Sequence, residues 1–222
     1  MHSPIPIAVL ISGRGSNMRA LIERSREQTQ PYRVALVLSD QPAAAGLAIA
    51  RDLGVATRSV PATKSADRVG YDRLLADAID GCAPALIVLA GFMRILSGEF
   101  VDRYAGRILN IHPSLLPKYP GLHTHRRVLA AHDPAHGATV HFVTAELDGG
   151  PPVIQARVQI FPDDDEATLA ARVQAQEHKI YPLAVRWYGE GRLRCREGRA
   201  WLDGAALKEP VLYDDGDPGR EH

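Results

Sequence analysis

The chain has 222 residues, enough to bury a large apolar core in a single domain. Its 26 basic and 26 acidic residues cancel, which argues against nucleic acid as the main partner, since such proteins carry a basic stripe. The apolar runs are strand-length, so we predict no membrane span. We expect a cytoplasmic protein, because no signal peptide precedes the first strand and Cys82 and Cys195 lie in unrelated contexts.

Apolar, β-branched-rich runs alternate with helical patterns through the first half of the chain. Continuous apolar strands are typical of a sheet covered on both faces, and the alternation is typical of parallel βαβ units. We therefore predict an α/β fold with a single doubly wound, mostly parallel sheet and helices on both faces. The predicted strands cover residues 5–11, 33–38, 55–60, 85–90 and 108–111, and the predicted helices cover residues 18–27, 44–53 and 68–80.

The pattern changes in the second half of the chain, where we predict antiparallel additions to the sheet. Strand-like segments at 137–144 and 153–160 flank a turn cluster that contains Asp148-Gly149-Gly150. The acidic run 163–165 then precedes a long helical pattern that ends near Tyr188, and acidic residues favour a helix N-terminus.

No internal repeat and no low-complexity linker divides the chain. A small hairpin is predicted at 192–203, and the last few residues are predicted to be disordered. We therefore assign residues 1–205 to one domain and expect residues 206–222 to form a flexible C-terminal tail. No pattern marks a subunit interface, so whether the chain forms a homodimer stays open.

A glycine-rich loop, Ser12-Gly13-Arg14-Gly15-Ser16-Asn17, follows the first strand and precedes the first helix. Glycines let backbone N–H groups approach an anion, and a helix N-terminus favours negative charge. The pattern is neither G-x-G-x-x-G nor a Walker loop, so a single phosphate fits it better than a pyrophosphate. An ordinary strand-to-helix turn capped by Ser16 or Asn17 is an equal alternative on these residues alone.

An amide and an imidazole stand two residues apart at the end of the fifth predicted strand. Asn110 and His112 share one face of that strand, and Pro113 ends the hydrogen bonding of the strand. The pair therefore lies at the carboxyl end of the strand, where doubly wound folds bind ligands. With a carboxylate, these groups supply what acyl transfer through an oxyanion needs. Asp148 is the candidate, but spacing alone does not bring it to His112, and Asp before Gly-Gly is also an ordinary turn former.

Five further histidines raise the question of a metal site. No cysteine lies near them in the sequence, and no H-E-x-x-H pattern occurs, so we expect no bound metal. We interpret them instead as histidines of surface loops. They are His123, His125, His132, His136 and His141.

Two other segments are open to a functional and a structural interpretation. Residues 91–96, Gly-Phe-Met-Arg-Ile-Leu, follow the fourth strand and could hold a heterocyclic ligand, or could simply connect a strand to a helix. Glu177 lies on the late helix, where most polar residues belong to a solvated face. Neither segment decides a function by itself.

Together these residues resemble the phosphoribosylglycinamide formyltransferase family, the folate-dependent enzymes of purine biosynthesis. Asn-Ile-His-Pro-Ser-Leu-Leu-Pro is shared with other users of formyltetrahydrofolate, whereas Ser-Gly-x-Gly-Ser-Asn suits the phosphate of a ribosyl substrate. Arg14 fills the variable position of that motif, and Met18 stands where leucine is commoner. The matching stretches are residues 10–17, 88–96, 109–124, 140–150 and 174–182.

The resemblance implies transfer of a formyl group from 10-formyltetrahydrofolate to the amine of phosphoribosylglycinamide, without a metal. It implies that Gly15, Ser16 and Asn17 hold the substrate phosphate and that Glu177 lies on the ribose side. The residues implied to line the folate site are Arg68, Met93, Arg94, Ile95, Leu96 and Asn110, of which Arg68 rests on the least certain alignment.

For catalysis, the resemblance points to Asn110, His112 and Asp148. Our hypothesis is that Asn110 and protonated His112 donate to the oxyanion, while Asp148 favours the imidazolium form and assists proton transfer. No residue is typical of a covalent nucleophile, since Ser114 is not in a G-x-S-x-G elbow. Transfer should therefore be direct.

The alternatives are related folate enzymes and a protein of another class. A methionyl-tRNA formyltransferase should carry an additional RNA-binding domain, and a formyltetrahydrofolate hydrolase an N-terminal regulatory domain; we expect neither here. A non-catalytic nucleotide-binding α/β module would explain the glycine loop and the sheet. It would leave Asn110, His112 and Asp148 as a coincidence.

Overall fold

The computed structural model describes residues 3–61 and 67–214, which form eleven strands and six helices. The helices are α1 (Ser16–Ser25), α2 (Ala45–Asp52), α3 (Arg68–Asp80), α4 (Gly98–Arg103), α5 (Thr124–Ala130) and α6 (Glu166–Gly189). The strands are β1 (Ile5–Ile11), β2 (Tyr32–Ser39), β3 (Thr57–Ser59), β4 (Leu86–Leu89), β5 (Ile108–His112), β6 (Ala135–Phe142), β7 (Pro152–Gln159), β8 (Leu193–Arg196), β9 (Arg199–Leu202), β10 (Ala205–Ala206) and β11 (Val211–Tyr213).

Eight of these strands form one sheet in the order β11-β7-β6-β5-β4-β1-β2-β3. Strands β1 to β5 pair in parallel, and β6 runs antiparallel between β5 and β7, so the predicted mostly parallel sheet with antiparallel additions is confirmed. The chain winds outward from β1 in both directions. The crevice at such a reversal of strand order, outside the carboxyl ends of the strands, is where α/β sheets bind ligands.

Alternate side chains of β1 enter two separate apolar cores, one on each face of the sheet. Ile7, Val9 and Ile11 belong to the core formed with α1, α2 and α6, whereas Ala8 and Leu10 belong to the core formed with α3 and α4. All five are fully buried. This two-sided burial explains why the strand sequences are continuously apolar rather than alternating, as the prediction of helices on both faces required.

Helix α6 bonds to β4 and β5 in the middle of the sheet. Asp165 caps its N-terminus by accepting a hydrogen bond from the Thr168 N–H at 2.7 Å, as expected for the acidic start of this helix. The buried Tyr181 hydroxyl lies 2.9 Å from the Leu89 carbonyl oxygen and 3.0 Å from that of Leu109. The preceding turn of α6 is thereby held close to the end of β4 and to the first residues of β5.

Several short elements were not predicted from the sequence, and one prediction is corrected. These elements are short: helices α4 and α5 have six and seven residues, and strands β10 and β11 have two and three. Their sequences therefore contain little periodicity to detect. Strand β11 pairs in parallel with β7, so Val211–Tyr213 belong to the sheet and not to the flexible tail predicted at 206–222. Backbone pairing with β7 stabilises this strand, and its three residues are too few to show a strand pattern in the sequence. The rest of that tail, 215–222, lies outside the described residues.

Candidate active site

The phosphate loop, residues 12–17, turns sharply between β1 and α1 and leaves the start of the helix open. Gly15 has a φ of 75°, and a Cβ there would lie 2.8 Å from the Met18 Cε and 3.0 Å from the Gly46 Cα. Glycine is therefore required by conformation and by space. No side chain of the described residues caps α1, so its first N–H groups face the loop and can receive an anion.

Side chains of the phosphate loop bond to α6 on the other side of the loop. The Gln174 amide donates to the Ser16 hydroxyl at 3.0 Å, and the Asn17 amide donates to the Glu177 carboxylate at 2.7 Å. Glu177 is buried, and desolvation raises the pKa of its carboxyl group, while the bond from Asn17 opposes the rise. Glu177 therefore does not belong to a solvated face of the helix. It forms a buried polar pair with the loop.

A cleft of about 120 Å³ opens at the ends of β4 and β5. Arg94, Ile95, Leu96 and Asn110, four of the six predicted folate residues, line this cleft. Its other lining residues, all among those described, are Leu89, Phe92, Val101, His141, Val143, Thr144, Ala145, Glu146, Leu147 and Asp148.

The two other predicted folate residues are not among the described residues that line the cleft. Met93 lies in the same loop, is 68% exposed, and donates its N–H to the Ser12 hydroxyl at 2.9 Å. Arg68 is exposed in the first turn of α3, directly after a segment that lies outside the described residues.

The structure brings Asp148 to His112, which spacing alone could not predict. The His112 Nδ1 lies 3.5 Å from the Asp148 Oδ2, and each of these side chains is only 8% exposed. Asp148 has a φ of 52° and also accepts the Gly121 N–H at 2.8 Å. Aspartate tolerates this left-handed conformation better than most residues, and such strain is common at functional sites.

Both ring nitrogens of His112 face groups that accept hydrogen bonds. The Nε2 lies 2.9 Å from the Tyr119 carbonyl oxygen, which can only accept, so this nitrogen carries a proton. The Nδ1 faces the Asp148 carboxylate. Both nitrogens of the imidazole are therefore placed to donate hydrogen bonds to oxygen acceptors when they carry protons.

His141 joins Asn110, His112 and Asp148 in this cluster. It was not predicted as a site residue. It lies directly opposite Asn110 in the β5–β6 register, and its Nε2 is 3.1 Å from the Asn110 Nδ2. Its Nδ1 is 2.9 Å from the Phe142 carbonyl oxygen and must donate. Burial lowers the pKa of His141, so the ring is neutral and its Nε2 accepts from Asn110.

The interpretation of the five other histidines as surface-loop residues is wrong for three of them. His125 is half-buried in α5. His136 and His141 are buried in β6, where burial lowers the pKa of both, to about 4 for His136. His136 lies 3.1 Å from His125 of α5, measured between ring nitrogens, whereas His123 and His132 are exposed. The predicted strand at 137–144 already contained His141, but its position opposite Asn110 depends on the register of β6 with β5.

Buried polar residues of β6 and β7 hold the loop that follows His112. The Thr139 hydroxyl donates to the Ser114 carbonyl at 2.6 Å and accepts the Leu116 N–H at 3.0 Å. The Gln155 amide donates to the Leu116 carbonyl at 2.7 Å. These bonds fix the path of the loop toward Tyr119, whose carbonyl contacts His112.

Most of the chain matches proteins of a known family. A model of the formyl transferase family matches residues 5–185, and a phosphoribosylglycinamide formyltransferase of Escherichia coli (strain K12) is 54% identical over 201 residues. That alignment covers 90% of this chain and 95% of the relative. The chain belongs to the phosphoribosylglycinamide formyltransferase family.

Two other comparisons bear on this family. A phosphoribosylglycinamide formyltransferase of Haemophilus influenzae is 45% identical over 201 residues, or 90% of this chain and 95% of the relative. The solved structure of a phosphoribosylglycinamide formyltransferase from Coxiella burnetii, in complex with CHES, matches with a TM-score of 0.91 at 44% identity. It covers 96% of this chain and 100% of that one. The predicted family and fold class of this formyltransferase are confirmed.

Within residues 3–61 and 67–214, no group of three or more His, Cys, Asp or Glu side chains could hold a metal ion. None of the helices in that part of the chain is long and apolar enough to cross a membrane.

Proposed function

We propose that Asn110, His112 and Asp148 catalyse formyl transfer from 10-formyltetrahydrofolate to the amine of N1-(5-phosphoribosyl)glycinamide in the cytoplasm. The products are the N-formyl ribonucleotide and tetrahydrofolate, in de novo purine biosynthesis. The observation that carries the proposal is the contact of His112 with Asp148 at 3.5 Å, next to Asn110 in the wall of the cleft. A titratable donor, a neutral donor and a carboxylate then meet where a ligand can enter.

The phosphate of the ribonucleotide binds the phosphate loop. Gly15 allows the backbone to turn, the uncapped N–H groups at the start of α1 face the anion, and the Ser16 hydroxyl lies beside them. Asn17 bonds to Glu177 one helical turn before Tyr181, which contacts the end of β4 and the second residue of β5. The ribose therefore lies along Glu177, between the phosphate and the reacting amine.

The folate occupies the cleft, where apolar and polar surfaces meet. Ile95 and Leu96 offer apolar surface to a heterocycle, and Arg94 offers a positive charge, 4.2 Å above the Tyr71 ring. For Arg68 and Met93 the support is the family resemblance, together with the exposure of Met93 next to Arg94. The formyl group then lies near Asn110, which lines the same cleft.

The neutral amine attacks the formyl carbon, and the formyl oxygen becomes an oxyanion. Asn110 has two N–H groups on its amide nitrogen; one is held by His141, so the other is directed away from it and donates to the oxyanion. The His112 Nε2–H exchanges its bond with the Tyr119 carbonyl for one with the oxyanion. These donors polarise the formyl amide, so the mechanism uses no metal.

Asp148 assists proton transfer from the amine to the folate nitrogen. Attack leaves the amine nitrogen positively charged, and the folate nitrogen must gain a proton before it leaves. As a carboxylate, Asp148 stabilises the imidazolium of His112. It also accepts the ammonium proton through a water molecule, and the proton is then transferred to the folate nitrogen. The formyl group passes directly between the two substrates, with no formylated enzyme.

The main alternative is hydrolysis of the folate in the same cleft. A hydrolase would give formate and would not need the phosphate loop, the Asn17–Glu177 pair or an amine. Their presence favours an amine carried on a phosphorylated ribose over water as the acceptor.

The experiment is a turnover assay with three acceptor conditions: phosphoribosylglycinamide, glycinamide without the phosphoribosyl group, and no amine. We expect rapid formation of N-formyl ribonucleotide in the first, and at least a hundred-fold less turnover in the others, since binding energy from remote groups orients the amine. Formate production at equal rates in all three would show a hydrolase. Formylated enzyme accumulating without amine would contradict direct transfer.

A further inference from the structure

Ser12 joins the phosphate loop to the folate loop, residues 91–96. It directly follows β1, and its backbone N–H donates to the Gly91 carbonyl at 3.0 Å. Its hydroxyl oxygen accepts the Met93 N–H at 2.9 Å. One residue of the phosphate loop therefore holds two backbone groups of the folate loop, across the crevice between the ends of β1 and β4.

A buried carboxylate fixes the direction of that hydroxyl. Asp40 follows β2 and is only 4% exposed, and its Oδ1 accepts the Ser12 hydroxyl proton at 2.6 Å. Its Oδ2 accepts from the Gln41 side chain at 3.1 Å. A serine hydroxyl has one proton, so once that proton points to Asp40 the oxygen lone pairs are left for the Met93 N–H. A hydrogen bond to an ionised acceptor is also stronger than a neutral one.

Asp40 reaches the folate loop by a second route. Burial raises the pKa of Tyr71 to about 12, and the nearby negative charge of Asp40 contributes to the rise. The Arg94 guanidinium lies over the same Tyr71 ring. Asp40 therefore acts on Met93 through Ser12 and lies near the Tyr71 ring that Arg94 covers. It is not among the described residues that line the cleft.

We propose that Asp40 is a positioning residue that couples the two substrate sites through Ser12. A ligand that orders the phosphate loop fixes Ser12, and the fixed Ser12 holds the Gly91 carbonyl and the Met93 N–H in place for the folate. Coupling between two binding sites is reciprocal, so folate also improves binding of the phosphorylated substrate. This inference rests on the proposed function, which supplies the identity of the two ligands.

The test measures binding without turnover. Tetrahydrofolate has no formyl group to transfer, so its Kd can be measured by calorimetry with and without saturating phosphoribosylglycinamide. We expect tetrahydrofolate to bind the wild type about three- to ten-fold more tightly in the presence of the ribonucleotide, the range for one hydrogen bond. In Asp40→Ala the ratio of the two Kd values falls to about one.

Three further variants separate positioning from a merely structural role. Asp40→Asn keeps an oxygen that accepts from Ser12 and should retain the coupling, and Gln41→Ala, the matched control, removes only the other contact of Asp40. Ser12→Ala should lose the coupling even if Asp40→Ala fails to fold. The coupling is overturned, and the proposed function is not, if Ser12→Ala and Asp40→Ala keep the wild-type ratio of the two tetrahydrofolate Kd values. The same holds if that ratio is one in a wild type that binds both ligands. A wild type that binds neither ligand overturns the proposed function as well.

Discussion

Replacing Asp148 by asparagine lowers kcat by about two to four orders of magnitude, the usual contribution of a positioned acid–base group. Asparagine has the same shape, and its side-chain oxygen can still accept the Gly121 N–H that Asp148 binds at 2.8 Å. The negative charge beside the His112 Nδ1 is lost, however, so the imidazolium is less favoured and the ammonium proton has no base. The Kd for phosphoribosylglycinamide should change little, because its phosphate binds elsewhere.

The measurement is a steady-state comparison of Asp148→Asn with the wild type, supported by calorimetric binding of the ribonucleotide. Asp52→Asn, at the exposed end of α2, is the matched control for the same chemical change and should behave as the wild type. An Asp148→Asn enzyme with wild-type kcat would remove the carboxylate from the mechanism. A large loss of ribonucleotide affinity with unchanged kcat would instead make Asp148 a binding residue.

Replacing Asn110 by alanine should lower kcat by about a hundred- to a thousand-fold, the typical cost of losing one oxyanion donor. His141 is neutral and accepts one Asn110 N–H, so the amide orientation is fixed before the substrate binds. Donors that need no reorientation act mainly on the transition state, where charge develops on the formyl oxygen. The Kd for tetrahydrofolate, which lacks that oxygen, should stay within a few-fold of the wild-type value.

The variant also leaves the His141 Nε2 without its donor, so its free energy of unfolding has to be measured by denaturant titration. A buried acceptor that loses its partner costs about 1–3 kcal/mol, which lowers the fraction of folded protein only in a marginally stable chain. A loss of kcat that persists in fully folded protein supports oxyanion stabilisation. Retention of wild-type kcat would contradict it.

Much of the fold could be predicted because the strands carry their own signal. The limits of β1 and α3 agree with the sequence prediction, since a continuous apolar run and a clear helical face each need no partner to be recognised. Strand β11 has three residues and exists through its pairing with β7. Helix α4 has six residues and depends on Ser97, whose hydroxyl accepts the Phe100 N–H. Such elements are stabilised by contacts rather than by periodicity.

The site shows the same division between local and long-range information. The shared face of Asn110 and His112 follows from the two-residue period of a strand and could be predicted. The contact of His112 with Asp148, and that of Asn110 with His141, depend on how β6 aligns with β5 and on the loop after β6. A sequence without its pairing register contains no such information, which is why His141 was missed.

The measurement that tests the central claim most directly is formyl transfer to phosphoribosylglycinamide by the wild type and by His112→Ala under single-turnover conditions. With both substrates bound, the rate reports the chemical step alone. We predict rapid transfer by the wild type and a loss of about two to four orders of magnitude in His112→Ala, with tetrahydrofolate affinity retained. Equal single-turnover rates in the two proteins would contradict the assignment of this cluster as the catalytic site.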